Sequence, residues 1–186
     1  MRRLAVALLT VLLVAGLAAT RPADARAQDN TAIAINTKDG AALFKFAFSV
    51  SRVAGDVVDN GNAAVAFASC EDCQTVAIAI QVVLVTGDPE VVTPTNLALA
   101  FNVECTLCET LASAYQFVFG TGGPVHFTAE GNQALAELRR EFHELRKEAP
   151  NLSIAQIQAR VAALVDRLRV VLANELVPAG RAGEAG

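Results

Sequence analysis

One stretch of this chain is written twice. CEDCQTVAIAIQVVLVTG (residues 70–87) returns 35 residues later as CTLCETLASAYQFVFGTG (105–122), with nine of eighteen positions identical and both cysteines of each copy kept. A fold for this chain must therefore seat the same unit twice. Each copy is led by an apolar stretch and followed by another, so each reads as strand–CxxC–strand. The lead-in is one residue longer in the second copy (LAFNVEC against VAFASC), which points to a bulge.

Other strand signals flank the copies. Phe44, Phe46, Phe48 and Val50 alternate with Lys45, Ala47, Ser49 and Ser51, the period of a half-buried strand. Ile33 and Ile35 precede them. Asp39-Gly40 and Asn60-Gly61 read as turns, the first as a hairpin turn. Residues 109–119 read as a strand, with a helix left open because a short apolar run does not separate the two by periodicity. The expected fold is α+β: a small antiparallel β domain (28–125) built on a duplicated strand–CxxC–strand hairpin, then an antiparallel helical hairpin (126–177) and a disordered tail (178–186). The helices are the clearer part. Leu135, Leu138, Phe142 and Leu145 are spaced for one helical face, with Thr128 or a neighbour as cap. After Pro150, Ser153 and Gln156 make a capping box ahead of Ile154, Ile157, Val161, Leu164, Leu168 and Val171. The charged run RREFHELRKE reads as a solvated face.

The amino-terminal 27 residues read as a secretory signal peptide: Arg2-Arg3, an apolar run from Leu4 to Ala19, and a small-x-small site at Ala25-Arg26-Ala27. Cleavage there would remove four arginines and one aspartate and take the formal net charge from −4 to −7. Such an acidic chain with no basic stripe excludes nucleic acid as the expected partner. The run from Val76 to Val85 is too short to span a bilayer, so no membrane span is expected after cleavage. The expected location is extracellular or at the cell surface, where disulfides persist.

Candidate chemistry narrows to the cysteines. HELRK (143–147) begins like a zinc-hydrolase helix, but Lys147 stands where the second histidine is needed. His143 therefore reads as a surface residue and His126 as structural. No nucleophile setting or phosphate-binding loop is present. Three readings remain for Cys70, Cys73, Cys105 and Cys108. The first is disulfides, from the even count in an oxidising compartment. The second is a tetrathiolate zinc site built from two CxxC turns. The third is thiol-redox chemistry, which prefers a CxxC at a helix start. Among disulfides, loop entropy favours linking the copies: about 4 kcal/mol for 36 residues against about 2 for four. The duplication favours the local bonds Cys70–Cys73 and Cys105–Cys108, because a self-contained bond survives copying unchanged.

DNTAIAINTKDGAALFKFAFSV, GDVVDNGNAAVAFASCEDCQTVAIAIQVVLVTG and the second copy through ASAYQFV resemble an uncharacterised exported actinobacterial family whose members are often labelled peptide zinc metalloprotease protein. The resemblance implies the extracellular segment of such proteins, without the HExxH region. The expected function is a secreted or cell-surface interaction or accessory module, non-enzymatic, without a cofactor, engaging a cell-envelope protein. The alternative is an exported zinc-binding or thiol-redox protein.

Overall fold

The computed structural model describes residues 29–179. The segment read as a signal peptide (1–27), residue 28 and residues 180–186 lie outside them. Six long strands come first: β1 (Asn30–Asn36), β2 (Ala42–Ala54), β3 (Val57–Ala68), β4 (Gln74–Thr86), β5 (Val91–Asn102) and β6 (Glu109–Gly120). A short strand β7 (Val125–Phe127), helices α1 (Ala129–Glu148) and α2 (Ile154–Asn174), and a short strand β8 (Leu176–Pro178) follow.

The expected antiparallel hairpin domain is not what forms. Sheet A has the order β1-β3-β5, sheet B the order β2-β4-β6, and every pairing in both is parallel. The chain winds through three coils, each giving one strand to each sheet. The strands flanking a CxxC belong to opposite sheets and do not pair with each other. Each pairs instead with its counterpart one coil away: Ala32 with Ala64 and Ala64 with Ala98, or Ala79 with Ala114. Stacking in register is how tandem units bury surface that none could bury alone. The Asp39-Gly40 turn is the coil 1 crossing between sheets, and Asn60-Gly61 lies inside β3. Residues 109–119 are strand. The extra residue of the second lead-in falls in the crossing, not in a strand. The register offset is 34 at Ala68↔Asn102 and 35 at Gln74↔Glu109.

Composition explains the layers. Between the sheets lie alanines: Ala32, Ala34, Ala64 and Ala66 pack on Ala77 and Ala79. Asparagines cross this layer. Asn30 Nδ2 donates to Asn62 Oδ1 at 2.8 Å, and Asn62 Nδ2 to Asn96 Oδ1 at 2.8 Å. The same amides reach sheet B. Asn30 donates to the Ile80 carbonyl, Asn62 to those of Ala79 and Tyr115, and Asn96 to that of Ala114. Asn62 thus sits between β4 and β6, whereas Asn96 reaches β6 alone, so the sheets are offset by half a strand.

The outer face of sheet B is large and apolar, and the helices cover it. Phe44, Val76, Ile78, Ile80, Val82 and Leu84 share one core with Leu135, Leu138, Phe142, Ile157 and Leu168. Phe142 stacks on Phe46 with ring centroids 4.3 Å apart. Ion pairs Arg167–Glu141 and Arg160–Glu148 run between the helices in reversed order, which makes them antiparallel. β4, covered on both sides, is buried along all but its end residues. That is the usual condition of a parallel strand.

Both helix starts carry the side chains anticipated. Thr128 Oγ1 accepts from Gly131 N, and Ser153 with Gln156 forms the reciprocal capping box. Gly131 is required by close approach, because a Cβ there would lie 2.6 Å from Cβ of Glu175. Of the expected tail, Pro178 belongs to β8, where Val177 pairs with His126 and Pro178 with Val125, and residues 180–186 lie outside the described residues.

Candidate four-cysteine site

The three crossings at one end of the coils stack as the strands do. Gly40 N donates to the Glu71 carbonyl and Asp72 N to the Thr106 carbonyl, both at 2.9 Å. Asp39 Oδ1 accepts from Glu71 N. Gly40, Asp72 and Leu107 hold the same place in successive crossings, and all three have positive φ, of 66°, 49° and 55°. Glycine takes that conformation freely and aspartate tolerates it, whereas a leucine there is strained. Leu107 is also 78% exposed, so it gains little from burial.

This stacking brings all four cysteines together. Cys70 and Cys73 are at bonding distance, as are Cys105 and Cys108, with Cα separations of 6.2 and 5.8 Å. The two pairs touch, Cys73 Sγ lying 3.3 Å from Cys108 Sγ. All four sulfurs fall within 4.8 Å of one another. Cys70 and Cys73 are buried; Cys105 and Cys108, on the end coil, are half-buried. Coil 1 has no cysteine at this place and puts Lys38 and Ala41 there, a correspondence set by the stacking of Asp39 on Glu71. Asp39, Glu71, Asp72, Glu104 and Glu109 belong to the three crossings or adjoin them in sequence, with Lys38 as the one base among them.

The chemistry of the pairs follows from this setting. Neither CxxC lies at a helix start, the setting in which a redox-active CxxC is usually found. The thiol-redox alternative therefore lacks its usual activation. Cys73, Gln74, Cys108, Glu109 and Pro150 line a shallow groove beside the sulfurs. Gln74 Nε2 also donates to the Leu152 carbonyl, which ties the helix connection to this end of the coils. The histidines are elsewhere: His126 is exposed on β7, and His143 is exposed on α1 with its ring edge-on to Phe46. Neither belongs to the sulfur cluster.

A second feature was not anticipated. The helices cover sheet B, while none of the described residues packs over the outer face of sheet A. Register stacks Ile33, Val65 and Leu99 in one row and Ile35, Phe67 and Phe101 in the next. Ile33, Ile35 and Phe101 are 51%, 61% and 44% exposed. The alternation at Ile33 and Ile35 was legible, but assembling the rows required the parallel register. No protein-family model matches this chain, and no curated protein or solved structure is significantly similar to it.

Proposed function

We propose that this chain is an exported, non-enzymatic interaction module of the cell envelope whose binding surface is the outer face of sheet A. The observation that carries this reading is the double row Ile33-Val65-Leu99 and Ile35-Phe67-Phe101, an apolar face left open on a rigid sheet. Contiguous exposed apolar patches mark interaction sites. The amino-terminal arginines, apolar run and Ala-x-Ala site support export, as does the family resemblance. Among the described residues, no helix is long and apolar enough to cross a membrane.

The test uses the chain from Gln28, immobilised and exposed to cell-envelope extract. The expected result is retention of a defined envelope protein that falls about tenfold or more in Ile33→Asp/Phe101→Asp, since each lost apolar contact is worth about 1.5–3 kcal/mol. The melting temperature of the variant should stay near that of the parent, because both side chains face solvent. Equal retention by both forms would remove the reading.

A second reading rests on the sulfur cluster. Four thiolates within 4.8 Å can close on one zinc ion, whose tetrahedral shell needs S···S separations of about 3.8 Å. Disulfides and zinc exclude one another, so the oxidised chain holds two bonds and the reduced chain holds one ion. Chain purified from an oxidising compartment should show no free thiol, and its unreduced peptide map should join Cys70 to Cys73 and Cys105 to Cys108. After reduction, titration should reach one zinc per chain, and Cys73→Ser should abolish it. No zinc uptake by the reduced chain would end this second reading.

A further inference from the structure

The two ends of the coil stack differ. β1 and β2 form one open edge pair, β5 and β6 the other. At the first end the inward residues of sheet A are buried: Ala32 is 3% exposed and Ala34 0%. At the last end the same row, Asn96, Ala98 and Ala100, is exposed. The half-strand offset is the cause. β1 rests over both β2 and β4, and β3 over both β4 and β6, but β5 rests over β6 alone and overhangs it. Charge also differs. β2 carries Lys45, which lies between Leu43 and Ala47 on its inward side and is exposed. An inward-pointing lysine on an edge strand is a known guard against strand addition. β5 has no charged residue, and β6 has Glu109 only, at its first position.

We propose that the β5/β6 edge is a homodimer interface, joining two copies about a two-fold axis parallel to the strands. Such an axis exchanges the two layers and keeps strand direction. The overhanging β5 of one copy then meets the recessed β6 of the other, and the same contact repeats on the opposite layer; because the crossing between β5 and β6 reverses the chain, the two strands run antiparallel there, unlike the parallel pairings inside each sheet. The half-strand offset fits this arrangement at both contacts. A two-fold normal to the sheets would pair β5 with its own copy and leave a gap one strand wide between the two β6 strands. Head-to-tail stacking would bring Lys45 beside Ala112, inside the alanine layer. The two-fold join places Ala98 and Ala100 over two strands, as Ala64 and Ala66 already are. It also ends growth, since an isologous contact closes on itself whereas a head-to-tail contact makes fibres. The outer rows of sheet A stay free in each copy, so this inference stands apart from the proposed binding face.

The experiment is mass measurement by light scattering on the chain from Gln28, with hydrogen exchange on the same sample. The wild type should have twice the mass of one chain, and its β5 and β6 amides should exchange more slowly as concentration rises. Ala98→Glu/Ala100→Glu, at positions exposed in the single chain, should halve the mass and remove that concentration dependence. Lys45→Ala, at the opposite edge, should leave the dimer unchanged. A wild type of single-chain mass at high concentration overturns the proposal. So does a mass that grows without limit, or a double variant that stays dimeric. If the double variant does not fold, the exchange data on the wild type decide: protection confined to β1 and β2, or none that depends on concentration, overturns the proposal.

Discussion

Phe142→Ala is expected to lower the unfolding free energy by about 3–5 kcal/mol, as removal of a buried phenylalanine does. Phe142 is 1% exposed and its ring stacks on Phe46 of β2. Its loss opens a cavity between α1 and sheet B, bordered by side chains that belong to both. The two layers share one core, so the far-ultraviolet signals of strand and helix should fall in one transition, at a lower denaturant midpoint. Arg139→Ala, three residues earlier on the exposed side, should cost about 0.5–1 kcal/mol, because Arg139 only lies over the Phe48 ring at 4.7 Å. Chemical denaturation followed by circular dichroism checks both. Equal losses at the two sites, or helices that melt while the sheets persist, would contradict the shared core.

Asn62→Leu is the second large effect expected, at about 3 kcal/mol, because each buried polar group stranded by the change costs about 1–3 kcal/mol. Asn62 is 1% exposed and is the middle rung of the ladder from Asn30 to Asn96. Removing its amide takes an acceptor from Asn30 and a donor from Asn96, and it leaves the carbonyls of Ala79 and Tyr115 without this partner. Asn96 recovers part of its loss from water because it is exposed. Thermal unfolding of Asn62→Leu beside Asn96→Leu makes the test. The end rung should cost clearly less than the middle one. The reverse order would mean that the ladder does not hold the sheets together.

The helices were legible because their information is local. Leu135, Leu138, Phe142 and Leu145 are one face at helical spacing, and Ser153 with Gln156 is a cap that two residues complete by themselves. The strands were legible for a similar reason, since alternation at Phe44, Phe46 and Phe48 is a property of one segment. Partner and direction are not properties of one segment. A CxxC between two strands suits a tight hairpin turn and a crossing between stacked sheets equally well. Two signals did point to the parallel arrangement. Residues 76–85 are apolar at every place but Gln81, as a strand covered on both faces must be. The duplication itself favours stacking like on like. The first coil hid its kinship because Lys38 and Ala41 replace the cysteines.

The sequence alone therefore determined the long strands as segments, the two helices with their caps and apolar faces, and the set of four cysteines as the candidate chemistry. Tertiary structure alone decided that the strands run parallel, that four sulfurs meet within 4.8 Å, and that one apolar face is covered while the other stays open. The physical reason is range. Propensity, capping and periodicity act within about one helical turn or a few strand residues. Which strand lies beside which depends on contacts between residues more than thirty positions apart, as Ala32 with Ala64 shows, and those are set by the packing of whole layers.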